Sequence, residues 1–340
     1  MRKFEGYQKG INLGGWLSQC DHTRERYDTF ITESDFKDIS EKKFDHVRIP
    51  VDSDLFENPD GTPREGGMKY LTDAVEWCGK YGLNMILDLH KTVGFVFDDD
   101  TDGSLFSDEK LQEKFYEIWE MFAKAFGKYS DRVAFELLNE VTDIEYSDKW
   151  NEIASKCIQR VRKYAPDTYI LVGGCCNNSI STLRFLEPAA DDKIVYNFHF
   201  YEPLVFTHQG AYWLKGMPLD FRMTYPDSLE NYRTIQHEKT NIISGDLDNV
   251  ETGTVGEEYF EYKFSEAVRL AEKRNVPLYC GEYGVINLAD TKSTLNWIKA
   301  VGNTFSKYKI GHALWTYKEM DFGFCDEHLK PISKEMMHCI

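Results

Sequence analysis

The sequence predicts a single (β/α)8 barrel, also called a TIM barrel, and three observations lead to this fold class. Eight apolar runs of strand length recur along the 340 residues, with amphipathic helical stretches between them. The runs lack the polar alternation of a half-exposed strand, as parallel strands covered on both faces require. No GxGxxG motif follows the first run, which disfavours a doubly wound dinucleotide-binding sheet. Alternating strands and helices of this number close into a parallel barrel through right-handed crossovers.

The predicted elements follow one another regularly along the chain. The strands cover residues 10–16, 46–51, 84–90, 133–140, 169–174, 194–201, 277–284 and 312–317. Helices are predicted from apolar residues that recur with a period of about 3.6, at residues 33–44, 68–81, 108–126, 148–164, 259–274 and 291–308. Ser107 and Asp108 provide the start of the third helix, and Gly82 follows the second where a left-handed residue is expected.

The connection after the sixth strand is too long for an ordinary barrel loop, which has about 2–6 residues. It runs from Tyr201 to the helix near Tyr259 and contains both helical and polar stretches. We therefore predict that residues 202–258 form a small, partly helical subdomain. It is inserted into one catalytic domain that covers residues 1–340.

Composition and charge limit the kinds of molecule that this protein is expected to bind. Hydrophobic residues make up 42% of the chain and charged residues 29%, which is typical of a globular protein. Lys and Arg number 40 against 57 Asp and Glu, so the net charge is −17. Such a surface repels phosphate backbones and anionic lipid, and we expect neither a nucleic acid nor a membrane as partner. A neutral substrate is not repelled, and we expect the chain to act on it as a monomer.

The beginning of the chain and its cysteines suggest a cellular location. The first residues carry charges but no apolar core of about 7–15 residues, so no signal peptide is expected. The eight cysteines show no CxxC or CxxH spacing of the kind that binds metals. We expect them to be reduced and to pack mostly as small apolar side chains. The sequence thus favours a cytoplasmic protein and leaves secretion by another route open.

Polar and aromatic side chains gather at the C-terminal ends of the predicted strands, which form the reactive face of a parallel barrel. Any one of them alone is explained by a salt bridge or by core packing. Together they occur at the same end of six different strands, which predicts a common site. They are Arg48, His90, Asn139, Glu140, His199, Tyr201, Glu282 and Trp315.

Two of these residues, Glu140 and Glu282, indicate the chemistry. Paired carboxylates without a metal hydrolyse glycosidic bonds, one as a protonated acid and the other as a nucleophile or as the base for a water molecule. Retention and inversion both remain open on this evidence. We expect burial and a neighbouring negative charge to keep Glu140 protonated, and Arg48 to keep Glu282 ionised. Glu136 is on the same side of a regular strand as Glu140, so we expect it deeper in the barrel, paired with a basic or hydroxyl group.

The other residues of the site have supporting roles in this interpretation. Asn139 is expected to donate a hydrogen bond to a sugar 2-hydroxyl, and Tyr201 to hold the nucleophile in position. Trp315 is expected to stack under the sugar ring at the cleavage point. A metal site is an alternative, because two carboxylates and two histidines share one rim. However, the first strand has no HxH motif and Arg48 would compete with a cation, so we expect no metal and no cofactor.

Six short motifs resemble glycoside hydrolase family 5, in clan A, and within it the clostridial endoglucanase C type. They are HVRIP, DLH, FELLNE, NFHFY, CGEYG and LWTY, and they extend in this order over nearly the whole chain. The resemblance implies a retaining mechanism, with Glu140 as the acid/base and Glu282 as the nucleophile. The remaining six residues of the site match the family's supporting positions. The implied substrates are β-1,4-glucans or mixed-linkage β-glucans that are cut internally. Mannan and xyloglucan remain alternatives, because loops choose the polymer.

Three further features bear on the substrate. Lys91 stands where close relatives often carry a second histidine, and the loop of residues 95–106 is unusually acidic. The predicted insertion contains several aromatic residues, of which we expect Trp213 to face the sugar chain, since an indole stacks on pyranose C–H groups. A carbohydrate-binding barrel without catalysis is disfavoured, because both glutamates are present.

Overall fold

Eight parallel strands close into a barrel in the computed structural model, which describes residues 1–58, 62–97 and 102–340. Each strand pairs with the next, and the last pairs with the first. The predicted fold class is therefore confirmed. The strands are β1 (Lys9–Asn12), β2 (His46–Asp52), β3 (Asn84–Lys91), β4 (Val133–Glu136), β5 (Ile170–Gly173), β6 (Ile194–Phe200), β7 (Leu278–Tyr283) and β8 (Gly311–Leu314).

Helices follow most of the strands, and the longer ones pack against one another around the barrel, whereas the short helix Cys175–Asn178 is a turn with left-handed residues at a cleft. The helices are α1 (Arg24–Thr29), α2 (Glu33–Glu41), α3 (Gly67–Tyr81), α4 (Glu109–Phe126), α5 (Ser147–Arg162), α6 (Cys175–Asn178), α7 (Leu204–Thr207), α8 (Leu229–Lys239), α9 (Glu257–Arg274), α10 (Thr291–Tyr308) and α11 (Ser333–Cys339). Two predicted caps are confirmed. The side chain of Asp108 accepts a hydrogen bond from the backbone N–H of Lys110 at 2.8 Å, and Gly82 ends α3 with a φ of +68°.

The helix pattern differs from the prediction at a few points. The helices predicted at 33–44 and 148–164 end earlier, at Glu41 and Arg162. No long helix follows β5: its place is taken by the short α6 and a 3-10 helix at Ile180–Phe185. The short helices α1 and α11 were not predicted, because each is too short for an amphipathic period to be recognised in the sequence.

Three strands are shorter than predicted by three or four residues at their C-terminal ends. β1 ends at Asn12 instead of residue 16, β4 at Glu136 instead of residue 140, and β8 at Leu314 instead of residue 317. The apolar runs continue beyond these points because the following loops are also buried. Burial alone does not distinguish a strand from a buried loop, so the sequence pattern overestimated the length of each strand.

The barrel interior is apolar at one end and polar at the other. Phe4 and Tyr7 stack with ring centres 4.1 Å apart and close the N-terminal end, against Ile86, Leu171 and Val195 of the strands. Nearer the C-terminal end the interior contains charged and amide side chains that are fully buried. These are Arg48, Asp88, Glu136 and Asn197. This polar layer lies directly below the reactive face.

The segment between β6 and α9 corresponds to the predicted insertion. It contains α7 and α8, and its last two predicted residues belong to α9 instead. Phe206 and Tyr225 are buried, with ring centres 5.3 Å apart. Tyr225 also lies beside Phe260 of α9, and its backbone N–H donates to Oγ of Ser293 in α10 at 2.9 Å. The segment thus packs on two barrel helices, and its independence as a subdomain stays a prediction.

Three remaining expectations concern the whole chain. None of the helices in the described ranges is long and apolar enough to cross a membrane. All eight cysteines are free thiols, and Cys78, Cys157, Cys175 and Cys280 are buried as expected, whereas Cys176 is exposed. Residues 98–101 of the predicted acidic loop lie outside the described residues.

Candidate active site

A cleft of about 990 Å³ opens at the C-terminal end of the barrel strands. Its walls include eight of the nine residues that the sequence predicts for the site: His90, Asn139, Glu140, His199, Tyr201, Trp213, Glu282 and Trp315. The ninth, Arg48, is fully buried. The barrel therefore brings the predicted residues together from strands that are far apart in the sequence.

Arg48 is not at a strand end, which corrects the prediction. It is the third residue of the seven-residue β2 and lies below the floor of the cleft. Its guanidinium forms two hydrogen bonds to Glu136, from Nε to Oε2 at 2.7 Å and from Nη2 to Oε1 at 2.8 Å. Nη2 also lies 3.0 Å from Oδ2 of Asp88. A buried charge is tolerated only when it is paired in this way, and Arg48 pairs with several carboxylates at once.

The position of Glu136 agrees with the prediction, although the reasoning that led to it was wrong. Glu136 is fully buried and pairs with the basic group of Arg48. It also accepts a hydrogen bond from Nδ2 of Asn197 at 2.7 Å. The expected strand parity with Glu140 does not hold, because β4 ends at Glu136 and Glu140 has a φ of +43°. Burial raises the pKa of Glu136, and Arg48 opposes this effect.

Both carboxylate oxygens of Glu282 accept hydrogen bonds from the protein. Nη1 of Arg48 donates to Oε1 at 2.7 Å, and Oη of Tyr201 donates to Oε2 at 3.0 Å. Burial, and then the charge of Glu282, raise the pKa of Tyr201 well above its ordinary value. The phenol therefore stays protonated and keeps its role as donor. The two donors hold Glu282 in one orientation.

Glu140 lies opposite Glu282 across the cleft and contacts His199. Nδ1 of His199 lies 2.6 Å from Oε1 of Glu140 and 3.6 Å from Oε2 of Glu282. The backbone register of β6 and β7 places His199 beside Glu282. Burial lowers the pKa of His199 to about 4, so the imidazole is neutral near pH 7. The predicted protonation of Glu140 itself stays a prediction.

The two glutamates are close enough to act on the same bond. One oxygen of Glu140, one oxygen of Glu282 and one nitrogen of His199 all lie within 4.8 Å of one another. In retaining glycosidases the two carboxyl groups are roughly 5–5.5 Å apart, and in inverting enzymes roughly 6.5–9.5 Å. The short distance between these two oxygens is typical of the retaining arrangement.

His90, Asn139 and Trp315 form the part of the cleft next to Glu282. Nδ1 of His90 lies 2.6 Å from Oδ2 of Asp88, and burial raises the pKa of Asp88 to about 7. The rings of His90 and Trp315 are parallel within 6°, with centres 6.0 Å apart. Oδ1 of Asn139 accepts from Arg48 at 2.9 Å, which leaves its Nδ2 on the side of His90. The sugar contacts expected of Asn139 and Trp315 stay predictions.

Trp213 lies at the rim of the cleft, where the sequence predicts it. Its side chain is exposed to 45%, and that of Tyr212 to 77%. Trp213 contacts His208 edge to face, with ring centres 6.1 Å apart, and lies 6.4 Å from the ring centre of Phe322. The contact with a sugar chain stays a prediction.

Comparison with known proteins identifies the family. A family model described as cellulase (glycosyl hydrolase family 5) matches residues 6–321. The chain belongs to glycoside hydrolase family 5. It is therefore an enzyme that hydrolyses glycosidic bonds. The catalytic roles of Glu140 and Glu282 stay predictions.

Several relatives cover nearly the whole of this family 5 chain. Cellodextrinase A of Ruminococcus flavefaciens is 45% identical over 91% of the chain and 85% of its own length. Endoglucanase C of Acetivibrio thermocellus is 37% identical over 98% of both chains. Among solved structures, a cellulose synthase subunit Z from Clostridioides difficile has a TM-score of 0.77 at 28% identity, covering 97% of this chain and 99% of its own.

The sequence analysis missed several polar residues of this family 5 site. Asn12 donates from Nδ2 to the backbone oxygen of Gly281 at 2.9 Å, and Asp88 and Asn197 contact the Arg48 network. Asn177 and Asn178 lie just after β5 and contact Glu140 and His199. The signal was present for all of them. Asn12, Asp88 and Asn197 interrupt apolar strands, and the two adjacent asparagines follow the fifth strand.

Lys91, which stands where close relatives often carry a second histidine, lies at the edge of the cleft. Nζ of Lys91 lies 5.6 Å from the ring centre of Phe97, which lines the cleft. Phe97 in turn contacts His90 edge to face, with ring centres 4.9 Å apart. In this family 5 enzyme the lysine thus lies close to the first histidine of the motif, on the side of the acidic loop.

Proposed function

We propose that the chain is a retaining, endo-acting β-glucanase that hydrolyses β-1,4-glucosidic bonds in cellulose-type or mixed-linkage β-glucans. The observation that carries the proposal is the approach of Glu140 and Glu282, whose oxygens lie within 4.8 Å of each other across an open cleft. This spacing supports double displacement. We also propose that the enzyme acts as a monomer.

The first chemical step forms a bond between Glu282 and the sugar. The carboxylate, held by Arg48 and Tyr201, attacks the anomeric carbon while Glu140 gives its proton to the departing glycosidic oxygen. In the second step a water molecule loses a proton to Glu140, attacks the same carbon and releases Glu282. Both steps invert the carbon, so the product keeps the β configuration.

The supporting residues stabilise charge that develops during these steps. Asn139, whose carbonyl oxygen is fixed by Arg48, directs its amide N–H towards the 2-hydroxyl of the sugar. A hydrogen bond there strengthens as the oxocarbenium-like transition state forms. Trp315 provides an apolar platform below the sugar ring, next to His90.

The proposed substrate is supported by the relatives and by the charge. Relatives that align over nearly the whole chain are endoglucanases, such as endoglucanase C at 37% identity. The net charge of −17 disfavours acidic polysaccharides. Mannan and xyloglucan remain alternatives, because the same catalytic pair serves polymers that differ only in their contacts with loops.

A second candidate is the hydrolysis of short cello-oligosaccharides. It is favoured by the cellodextrinase at 45% identity. The two activities differ in the length of chain that the cleft must bind. An endoglucanase lowers the viscosity of a polymer before many reducing ends appear, whereas an enzyme for oligosaccharides leaves the viscosity almost unchanged.

The test is a reducing-sugar assay on barley β-glucan, carboxymethyl cellulose, xyloglucan, mannan and cellotetraose, combined with viscometry and sizing of the products. We expect hydrolysis of β-glucan with an early fall in viscosity. Proton NMR of the first products should show the β-anomer. An initial α-anomer would refute Glu282 as nucleophile, and activity on cellotetraose alone would support the second candidate.

The alternative of a metal-dependent barrel is tested by chelation. Both oxygens of Glu282 already accept hydrogen bonds from Arg48 and Tyr201, which disfavours a cation at this carboxylate. We expect hydrolysis of β-glucan to persist after exhaustive treatment with EDTA. Loss of activity that Zn²⁺ or Mn²⁺ restores would overturn the carboxylate mechanism.

A further inference from the structure

The turn that follows β5 is unusual in its backbone. Cys176, Asn177 and Asn178 have φ angles of +53°, +55° and +53°. Left-handed angles cost roughly 1–2 kcal/mol for most residues; Gly adopts them most easily, and Asn and Asp tolerate them better than other residues. The backbone N–H of Asn177 donates to the oxygen of Val141, one residue after Glu140, at 3.1 Å. The turn is thereby attached to the segment that carries the acid/base.

The two asparagine side chains of this turn point into the catalytic centre. Nδ2 of Asn177 donates to Oε2 of Glu140 at 3.3 Å. Nδ2 of Asn178 lies 3.3 Å from Nε2 of His199, and Asn178 is fully buried. On the other side of His199, Nδ1 lies 2.6 Å from Oε1 of Glu140. Asn178, His199 and Glu140 thus form a chain of hydrogen bonds.

Two glycines make room for this chain. A side chain at Gly173 would place its Cβ 2.2 Å from Oδ1 of Asn178. A side chain at Gly281 would place its Cβ 3.0 Å from Nε2 of His199. Both positions are crowded by the groups that form the hydrogen bonds, so a side chain at either glycine would displace Asn178 or His199.

The direction of the hydrogen bonds follows from the donors available. An amide nitrogen only donates, so Nε2 of His199 must accept from Asn178 and carries no proton. A neutral imidazole has one proton, which is then on Nδ1 and faces Glu140. His199 consequently donates to Glu140 and stabilises its ionised form.

We propose that Asn178 is a positioning residue that fixes the proton of His199 on Nδ1 and thereby controls when Glu140 is ionised. The inference rests on the proposed function, in which Glu140 alternates between acid and base. Asn178 itself touches neither the substrate nor the reacting bond. Its contribution is to keep a donor on the Glu140 side of the imidazole, which favours the base form needed to activate water in the second step.

Other ionisable groups also act on His199 and Glu140, and the proposal takes them into account. They come from five strands or strand ends and are Arg48, Asp88, His90, Glu136, Tyr201 and Glu282. None of them is changed in the variants below. A shift in the pH profile of Asn178→Gly or Gly173→Ala therefore reports on the amide, whereas Asn178→Asp, which adds a carboxyl group, is used only to observe the tautomer.

The first test observes the tautomer directly and does not depend on activity. Nitrogen-15 NMR of the imidazole rings distinguishes a protonated from an unprotonated ring nitrogen, and a His199→Gln variant assigns the signal. We expect Nδ1 of His199 to carry the proton in the wild type at pH 7. Asn178→Asp offers only acceptors and suits the left-handed angle, so we expect the proton to move to Nε2. A wild-type proton on Nε2 would overturn the proposal.

The second test measures the pH dependence of hydrolysis. Asn178→Gly removes the amide without straining the backbone, and Gly173→Ala displaces it from outside the catalytic centre. In both variants we expect the basic limb of kcat/KM on cellotetraose to move upward by roughly 0.5–1 pH unit, since ionised Glu140 loses a donor. Dinitrophenyl β-cellobioside needs no acid assistance, and its profile should not shift.

The control is Asn275→Gly, which makes the same exchange at a left-handed residue, φ +51°, at the end of α9. Its profile should match the wild type. A uniform loss of kcat/KM on both substrates, with an unmoved basic limb, would show that Asn178 has only a structural role. A downward shift would mean that the amide oxygen faces His199, and would also overturn the proposal. If the wild type hydrolyses neither substrate, the proposed function fails, and the NMR result still decides the tautomer.

Discussion

Nη1 of Arg48 lies 2.7 Å from Oε1 of Glu282, although the two residues are 234 positions apart in the sequence. The same guanidinium also contacts the carboxylates of Asp88 and Glu136. Burial by itself lowers the pKa of Arg48, but the three carboxylates raise it well above its ordinary value. Arg48 therefore remains charged, and it connects Glu282 to the buried carboxylates inside the barrel.

The first prediction concerns the contribution of Arg48 to the stability of the barrel. Arg48→Met should lower the free energy of unfolding by about 3–5 kcal/mol, because three buried carboxylates lose their counter-charge. Urea denaturation at pH 7 measures the change. Lys330→Met, which removes an exposed partner of Glu327, serves as control and should leave the midpoint unchanged. Equal midpoints for the wild type and Arg48→Met would contradict the assigned role.

The second prediction separates the two glutamates. Glu282→Gln should abolish turnover of every substrate, because no glycosyl-enzyme can form. Glu140→Gln should still form the glycosyl-enzyme from a dinitrophenyl glycoside, whose leaving group needs little protonation. The burst of dinitrophenol measures this step. If both variants gave no burst, the division of roles would be wrong.

The third prediction concerns the second donor to the nucleophile. Tyr201→Phe removes the hydrogen bond to Oε2 of Glu282 and should lower kcat/KM on β-glucan roughly 10–100-fold, as expected for a bond to a charged group. The melting temperature should change little. Tyr70→Phe, which removes a surface hydrogen bond to Asp28, is the matched control. Full activity of Tyr201→Phe would show that Arg48 alone orients Glu282.

The fourth prediction concerns how the free energy of unfolding changes at acidic pH. His312 of β8 is buried against Phe305, with ring centres 4.6 Å apart, and burial lowers its pKa to about 3. In the unfolded chain His312 binds a proton near pH 6.5, so above that pH His312 causes no loss of stability. Between about pH 6.5 and 3 the free energy of unfolding falls by about 1.4 kcal/mol per pH unit, because the unfolded chain binds this proton and the folded protein does not.

Replacement of His312 should therefore flatten the profile in this window. His312→Phe keeps an aromatic ring at the site, and urea denaturation between pH 4 and 7 measures the slope. His338→Phe, at an exposed position of α11, is the control and should keep the wild-type slope. An unchanged slope in His312→Phe would mean that other groups cause the loss of stability in acid.

The fifth prediction concerns the rim of the cleft. Trp213→Ala should raise KM on β-glucan several-fold and leave kcat nearly unchanged, because a stacking contact far from the bond contributes equally to the ground state and the transition state. The side chain is exposed to 45%, so the melting temperature should stay the same. Phe185→Ala, at a residue exposed to 46%, controls for the loss of an exposed aromatic side chain. Unchanged KM with a lowered melting temperature would place Trp213 in the core instead.

The sequence by itself determined the barrel and most of the catalytic set. Buried parallel strands need long apolar runs, and the helices between them need an amphipathic period, so both features are written into local sequence. The strand-end rule then selected Glu140, His199 and Glu282, because every parallel strand delivers its last residues to the same face. The motifs identified the family without any coordinates.

Only the tertiary structure decided how those residues are connected. The sequence placed Arg48 at a strand end, whereas it lies inside the barrel, where it contacts Glu136 and Glu282. The predicted strand through Glu140 ends four residues earlier, and the roles of Asn177 and Asn178 were not foreseen. These features depend on distances between segments far apart in the chain and on left-handed backbone angles. A local pattern of apolar and polar residues reports the burial of each residue, but it contains no information about which other side chain lies across the barrel.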